Sequence, residues 1–219
     1  SQYRFPAQPK GSGKFSSCSG SWSQEPHGIS MDFFEGRISS SGFASGDRIV
    51  IGDWKKSPLG SFTNVMWAKP DGTRVLLTPT QEHADYVSSL YNFEEVHIVS
   101  MEVKHLTRGI DIIAPPLNVS LRWNRGIGLP IPRPKWFIST VEQWVAKAFF
   151  GTSTHGLTCN GLREWYCIYS LSKIKHAAAS CEGVDLGDSS NFEINACFGF
   201  SEPPKKPSSV RLRSIIESA

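Results

Sequence analysis

The sequence predicts a mainly β (α+β) protein, built as an antiparallel β-barrel or as packed antiparallel sheets with two covering helices. From Ile29 onward the chain consists largely of short runs rich in β-branched and aromatic residues. Gly, Pro and Asp separate these runs at short intervals, which is typical of an antiparallel meander. Strands do not alternate with long helices, which excludes a doubly wound parallel sheet.

The chain divides into a lead-in and a β-rich region. Residues 1–28 are rich in Ser, Gly and Pro and lack hydrophobic periodicity, so we expect an irregular N-terminal arm. We expect residues 29–219 to form a single barrel-like domain of roughly ten strands. The pattern leaves open whether these strands close into a barrel or pack as a sandwich.

The first expected strands end in a hairpin. Residues 69–73, Lys-Pro-Asp-Gly-Thr, predict its turn, because Pro70 presets φ and Gly72 permits a positive φ. The strands share β-branched and aromatic residues and span 29–34, 37–43, 47–54, 62–68 and 73–78.

The strand at 62–68 supplies the predicted ligand site. Phe62, Asn64 and Met66 lie on one face of the strand and Trp67 lies on the other, and both faces are largely apolar. The strand is therefore expected to be covered on both sides, and a buried Asn64 needs hydrogen-bond partners. Apolar walls with one or two polar groups are typical of small-molecule sites, so we predict that these four residues line an internal cavity. The alternative is that they are ordinary core.

The remaining elements include both expected helices. Thr80 is placed to cap a helix over 81–93, and a capping box at Ser139–Glu142 precedes a second helix over 141–150. Residues 94–105 are predicted to form one long strand. Further strands with the same composition span 109–114, 117–123, 164–171, 173–182, 192–200 and 209–218.

A basic loop at 122–136 suggests a second function. The whole chain carries a net charge of only +3, yet this loop contains Arg122, Arg125 and Arg133 and no acidic residue. In this alternative the chain is an enzyme acting on a small anionic substrate that the three arginines clamp. Solvated loop charges are the simpler explanation, and the residues leave open whether the chain is an enzyme.

The same loop raises a third alternative, single-stranded nucleic-acid binding. Trp123 and Trp136 lie among its basic residues and could stack on bases. The sequence pI of about 8.6 falls short of the strongly basic footprint of such proteins, so nucleic acid is not an expected partner.

Several catalytic motifs are incomplete. The segment Gly11–Lys14 lacks the spacing and the Ser or Thr of a phosphate loop, and Gly42–Gly46 misplaces the Ser of a nucleophile elbow. The six histidines show no metal-binding spacing, so we predict no metal and no cofactor. The charged residues near Asp53 and Lys55 are expected to form exposed ion pairs or to reach solvent.

Location and partners follow from simple features. No run approaches the roughly 18 apolar residues that span a bilayer, so no membrane association is expected. Five cysteines are an odd number and too few for a disulfide framework, which favours reduced thiols in the cytoplasm. The sequence does not decide the oligomeric state.

Short motifs resemble the acetoacetate decarboxylase-like superfamily. Pro58, Gly60 and Phe62 form a Pro-x-Gly-x-aromatic motif before an apolar strand, and Leu106-x-x-Gly109 marks a later hairpin. The resemblance covers residues 45–125 and implies a mostly antiparallel barrel around an apolar cavity for a small carbonyl or acid compound.

The catalytic part of the resemblance is missing. That family's decarboxylase forms a Schiff base through one lysine of a Lys-Lys pair that follows the aromatic motif, but residues 78–103 contain no lysine. Asn64 stands where the family places a carboxylate. We therefore expect binding of a small apolar or carboxylic-acid compound without Schiff-base catalysis.

Overall fold

The computed structural model describes residues 30–128, 155–157, 163–192, 198 and 205–218. The predicted arm at 1–28 and the second helix at 141–150 lie outside these residues. The described strands form one curled sheet, and their bounds are β1 Ser30–Phe43, β2 Arg48–Lys56, β3 Phe62–Ala68, β4 Arg74–Thr78, β5 Glu95–Ile98, β6 Glu102–Leu106, β7 Gly109–Ala114, β8 Leu117–Trp123, β9 Ile127–Gly128, β10 His155–Leu157, β11 Arg163–Cys181, β12 Val184–Asp185, β13 Ser189–Ser190 and β14 Ser208–Ser218.

The sheet folds over at β11 and forms two walls. Its main path runs β5-β4-β3-β2-β1-β14-β11-β8-β7-β6. The first part of β11 pairs with β14 over 164–173, whereas the second part pairs with β8 over 174–181. Register shifts after Ile168 and Ile174 break the ladders near this change of partner. Such irregularities let one strand turn a corner and belong to two layers.

The mainly β class predicted from the sequence is confirmed, and the architecture is a curled half-barrel. One strand pair departs from the antiparallel prediction, because β4 and β5 are parallel. The helix α1, Gln81–Leu90, lies between these two strands in the sequence. A strand-helix-strand connection carries the chain back to the start of the sheet, so the second strand runs in the same direction.

A central core fills the space between the walls. The first wall contributes Ile51, Val65 and Leu77, and the second contributes Ile112 and Val119. None of these five side chains is more than 3% exposed. Fully burying one such side chain stabilises the fold by about 1.5–3 kcal/mol. Apolar burial therefore holds the two walls face to face.

The helix α1 covers the outer face of the first wall. Thr80 caps it as predicted, with its hydroxyl accepting a hydrogen bond from the backbone N–H of His83 at 3.3 Å. Val87 and Leu90 pack against Phe62 and Leu76 in a second apolar cluster. The strand β3 thus has a core on each face, which confirms the prediction that it is covered on both sides.

The strand predicted over 94–105 is wrong as a single element. The chain forms β5, leaves the first wall at residues 99–101, and enters the second wall as β6. The two strands consequently lie at opposite ends of the sheet path, although only three residues separate them.

The 69–73 turn is confirmed: Gly72 has a φ of 90° and donates its N–H to the Lys69 carbonyl at 2.9 Å.

Candidate functional site

A cleft opens between the two walls beyond the central core. We call it the inner cleft and define it by Glu35, Arg37, Asp53, His105, Trp123 and Arg211. Its volume is about 290 Å³. The first wall supplies the two carboxylates and both arginines, whereas the second wall supplies the imidazole and the indole. The curl of the sheet brings these groups together.

Arg37 is the central cation of the inner cleft. In the sheet register it lies between Asp53 on β2 and Arg211 on β14. Its Nη1 donates to the Ser209 hydroxyl at 2.9 Å, and its guanidinium lies 4.7 Å from the ring centre of Trp123. The ring and the hydroxyl hold the half-buried guanidinium in place.

The electrostatic setting of Arg37 favours an anion. Burial and the neighbouring Arg211 lower the pKa of the Arg37 guanidinium, while Asp53 raises it. Asp53 itself pairs with His105. Glu35 lies 3.6 Å from Arg213 and 3.9 Å from Arg211, so it pairs with those two arginines. An arginine remains protonated at neutral pH even when its pKa is lowered. A partly desolvated cation of this kind gains from an anion placed in the cleft.

Asp53 and His105 join the two walls. Nε2 of His105 lies 2.9 Å from Oδ1 and 3.0 Å from Oδ2 of Asp53. The Thr63 hydroxyl donates to Asp53 Oδ1 at 3.0 Å. Asp53 is 9% exposed, so the expectation of an exposed ion pair is wrong at this residue. Its position on β2 follows the inward-facing Ile49 and Ile51, which places it on the core side of the strand.

Two further features shape the rim of the inner cleft. Lys55 is exposed, lies two residues beyond Asp53 on β2, and lines the rim of the cleft. At Gly36 a register shift brings β1 so close to β2 that an added Cβ would lie 2.2 Å from the Asp53 carbonyl oxygen. Only glycine permits β1 to approach the Asp53 backbone this closely.

The predicted site residues of β3 do not face a common space. Phe62, Asn64 and Met66 line a cavity of about 40 Å³ beneath α1. Trp67 lies on the opposite face, in the central core, and donates Nε1–H to Asp47 at 2.6 Å. The smaller cavity has room for one or a few water molecules, well below a typical ligand pocket. Asn64 has the partner that its burial requires, because Trp54 donates Nε1–H to its Oδ1 at 3.2 Å.

The basic loop is only partly described. Arg122 pairs with Asp111 through two hydrogen bonds of 2.6 and 2.9 Å, which hold the pKa of the Asp111 carboxyl below its ordinary value. Arg125 is exposed, and Arg133 lies outside the described residues. Arg122 therefore already has an anionic partner within the chain. Trp123 is 9% exposed and lies under Arg37, so its ring does not face solvent as a stacking platform.

A wider groove of about 570 Å³ lies on the outer face of the second wall. Its polar lining includes Asp111, Ser120 and Ser180. Asp111 is already paired with Arg122. The inner cleft is more suited to chemistry, because it gathers an imidazole, two arginines and two carboxylates between the walls. Among the described residues no three His, Cys, Asp or Glu side chains are grouped closely enough to hold a metal ion.

The inner cleft is not predictable from the sequence as a whole. Arg37 and Asp53 lie in runs that were correctly expected to form strands, but their pairing depends on the register between β1 and β2. A signal was present in β2, where Ile49, Ile51 and Asp53 share one face and the apolar pattern changes to a charge. His105 gave no such signal, because its partner lies 52 residues away in the sequence.

The comparison with solved structures found a weak likeness of fold. The chain is similar to the crystal structure of acetoacetate decarboxylase from Legionella pneumophila, with a TM-score of 0.40 and 8% sequence identity. The alignment covers 92% of this chain and 90% of that chain. No family model and no curated protein matches the sequence. No helix in the described part of the chain has the length and apolar character needed to cross a membrane.

Proposed function

We propose that the chain binds a small carboxylic acid in the inner cleft, without forming a covalent bond to it. The observation that carries this proposal is the half-buried Arg37, held by Ser209 and Trp123 while the nearby carboxylates pair with other groups. A carboxylate would accept hydrogen bonds from the guanidinium and offset the repulsion from Arg211.

The size and lining of the inner cleft define the ligand class. About 290 Å³ lies near the lower end of small-molecule pockets, which suits an acid with a short aliphatic or single-ring body. Ile110, Leu106 and the Trp123 ring supply apolar surface for that body. In this proposal the ligand site lies in the inner cleft and not beside Phe62, Asn64 and Met66.

Binding is tested by comparing two arginine variants. Arg37→Met keeps the length of the side chain but removes the charge, while Arg125→Met removes the same charge from an exposed position. We expect small monocarboxylates, from acetate to benzoate, to bind the wild type and the Arg125 variant. Arg37→Met should weaken binding about tenfold or more. Isothermal titration calorimetry and saturation-transfer NMR measure this, with the neutral amide of each acid as the control ligand.

Two outcomes would contradict the binding proposal. One is equal affinity of the acid for the wild type and Arg37→Met, and the other is equal affinity of the wild type for an acid and its amide.

The absence of a Schiff base is tested separately, because Lys55 lies at the rim of the inner cleft. Borohydride treatment with small oxo acids should leave the mass of the protein unchanged, whereas an adduct at Lys55 would show amine catalysis.

The Asp53–His105 pair favours a second candidate function, proton transfer within the inner cleft. A neutral imidazole that donates Nε2–H to Asp53 carries its lone pair on Nδ1. The His105 side chain is 56% exposed, so the imidazole is open to solvent. Asp53, oriented by Thr63, would stabilise the imidazolium that forms when Nδ1 accepts a proton.

Proton transfer is tested by hydrogen exchange at carbon. When a small oxo acid is bound, Nδ1 would accept a proton from the carbon beside the carbonyl, the electron pair would stay on the resulting enolate, and solvent deuterium would replace the proton. We expect the wild type to accelerate deuterium incorporation measured by NMR, and His105→Gln to lose about 10²-fold or more while still binding the acid. Equal exchange rates in the two proteins would exclude this role for His105.

A further inference from the structure

The strand β6 ends the sheet path with one edge open. Among the described residues it pairs only with β7, from Glu102 opposite Ile113 to Leu106 opposite Gly109. Glu102, Lys104 and Leu106 are exposed on this strand. An exposed edge offers unpaired backbone N–H and C=O groups to another strand.

A row of alternating charges runs across the second wall to this edge. Arg122 on β8 pairs with Asp111 on β7, and Lys104 on β6 lies directly opposite Asp111 in the register. The order is therefore cation, anion, cation, and the next strand outward would place an anion beside Lys104. Pairs of opposite charges on neighbouring strands stabilise a sheet.

Glu102 would gain from a cation on the next strand outward. It lies two residues from Lys104 on the same face, and its register partner on β7 is Ile113, which is 48% exposed. Because Ile113 is uncharged, Glu102 has no cation opposite it on β7. The edge thus presents one cation and one anion side by side, separated in sequence by Val103.

We propose that β6 pairs antiparallel with β6 of a second copy of this chain, about a two-fold axis at Val103. In this register Glu102 of each copy lies opposite Lys104 of the other, and the two Val103 residues face one another. A register centred on Lys104 would oppose two lysines, and one centred on Glu102 would oppose two glutamates. A two-fold interface uses the same patch twice, so the Glu102–Lys104 arrangement is complementary to itself.

Charge-exchange variants test the partner and the register together. Sedimentation velocity of the full chain should show a dimer for the wild type. Glu102→Lys and Lys104→Glu should each weaken the dimer about tenfold or more, because each creates two like-charge pairs across the axis. The double variant with both substitutions should restore the dimer. Glu82→Lys, an equal charge change on the exposed face of α1, is the matched control and should leave the dimer intact.

A cross-linking experiment tests the register independently of charge. Residues directly opposite in an antiparallel pair have Cα atoms about 4.5–5.5 Å apart, within reach of a disulfide. Oxidised Val103→Cys should therefore form a covalent dimer, and oxidised Lys104→Cys should not. A monomeric wild type, a dimer that survives both single charge reversals, or cross-linking through position 104 instead of 103 would overturn the proposal.

Discussion

At the scale of single residues, Arg74 and Glu94 fasten the parallel pair of strands. The Arg74 backbone N–H donates to Glu94 Oε2 at 2.7 Å, and the Glu94 N–H donates to the Arg74 carbonyl at 2.9 Å. The Arg74 guanidinium also pairs with both oxygens of the same carboxylate. These contacts immediately precede the first β4–β5 pair, Val75 with Glu95, and set its register.

This pairing predicts a pH dependence. The side-chain and backbone hydrogen bonds from Arg74 lower the pKa of Glu94 from its ordinary 4.5 to about 2. Because the folded-state pKa is depressed, the stabilisation is complete above pH 4.5 and is lost as the pH falls from 4.5 to 2. The pair is partly exposed, so its contribution stays below about 1 kcal/mol.

The pKa of Glu94 is measured by NMR titration of its carboxyl carbon. We expect a value of about 2 in the wild type and a return to about 4.5 in Arg74→Gln. Urea unfolding of the wild type and Glu94→Gln should then differ most above pH 4.5 and converge toward pH 2. A Glu94 pKa that does not change between the wild type and Arg74→Gln would contradict the assigned cause.

At the scale of elements, β1 positions Glu35 and Arg37 in the inner cleft. It runs without interruption from Ser30 to Phe43, although the sequence predicted two strands separated near Gly36. The glycine suggested a boundary because it weakens a strand and often marks a turn. In the structure it marks a β-bulge, where β1 passes close to the Asp53 backbone and remains paired with β2.

Substituting Gly36 should therefore disturb both the sheet and the site. In Gly36→Ala the added Cβ would lie 2.2 Å from the Asp53 carbonyl oxygen, so β1 and β2 must separate. We expect a loss of about 1–3 kcal/mol in the free energy of unfolding, measured by urea denaturation, and weaker binding of a carboxylic acid. Gly128→Ala is the control, because an added Cβ there meets nothing within 4 Å. Equal stability of the two variants would show that β1 yields easily at this point.

At the scale of the whole molecule, the sequence predicts the elements better than their arrangement. The local signals are sufficient for the 69–73 hairpin and the Thr80 cap, because turn and capping chemistry acts over a few residues. The placement of β5 and β6 at opposite ends of the path depends on the closure of the two walls. The residue pattern over 94–105 contains no turn signal at residues 99–101, so the break between β5 and β6 was not predicted.

The same limit applies to the candidate site. The basic loop attracted attention because its charges are adjacent in sequence, yet Arg122 pairs with Asp111 inside the sheet. Asp53 and His105 meet because the sheet curls, and an interaction between distant strands leaves no local pattern. A small acid thus stays the proposed ligand, and the proposed binding site is the inner cleft and no longer β3.

The position of β14 between β1 and β11 has a consequence for biosynthesis. During translation β1 can pair with β2 as soon as β2 follows it, but its other neighbour, β14, is made about 170 residues later. At an elongation rate of roughly 5–20 residues per second, that edge stays vacant for about 10–30 seconds on the ribosome. During that time the nascent chain exposes the unpaired backbone N–H and C=O groups of β1. A chaperone that shields this edge would limit aggregation during synthesis.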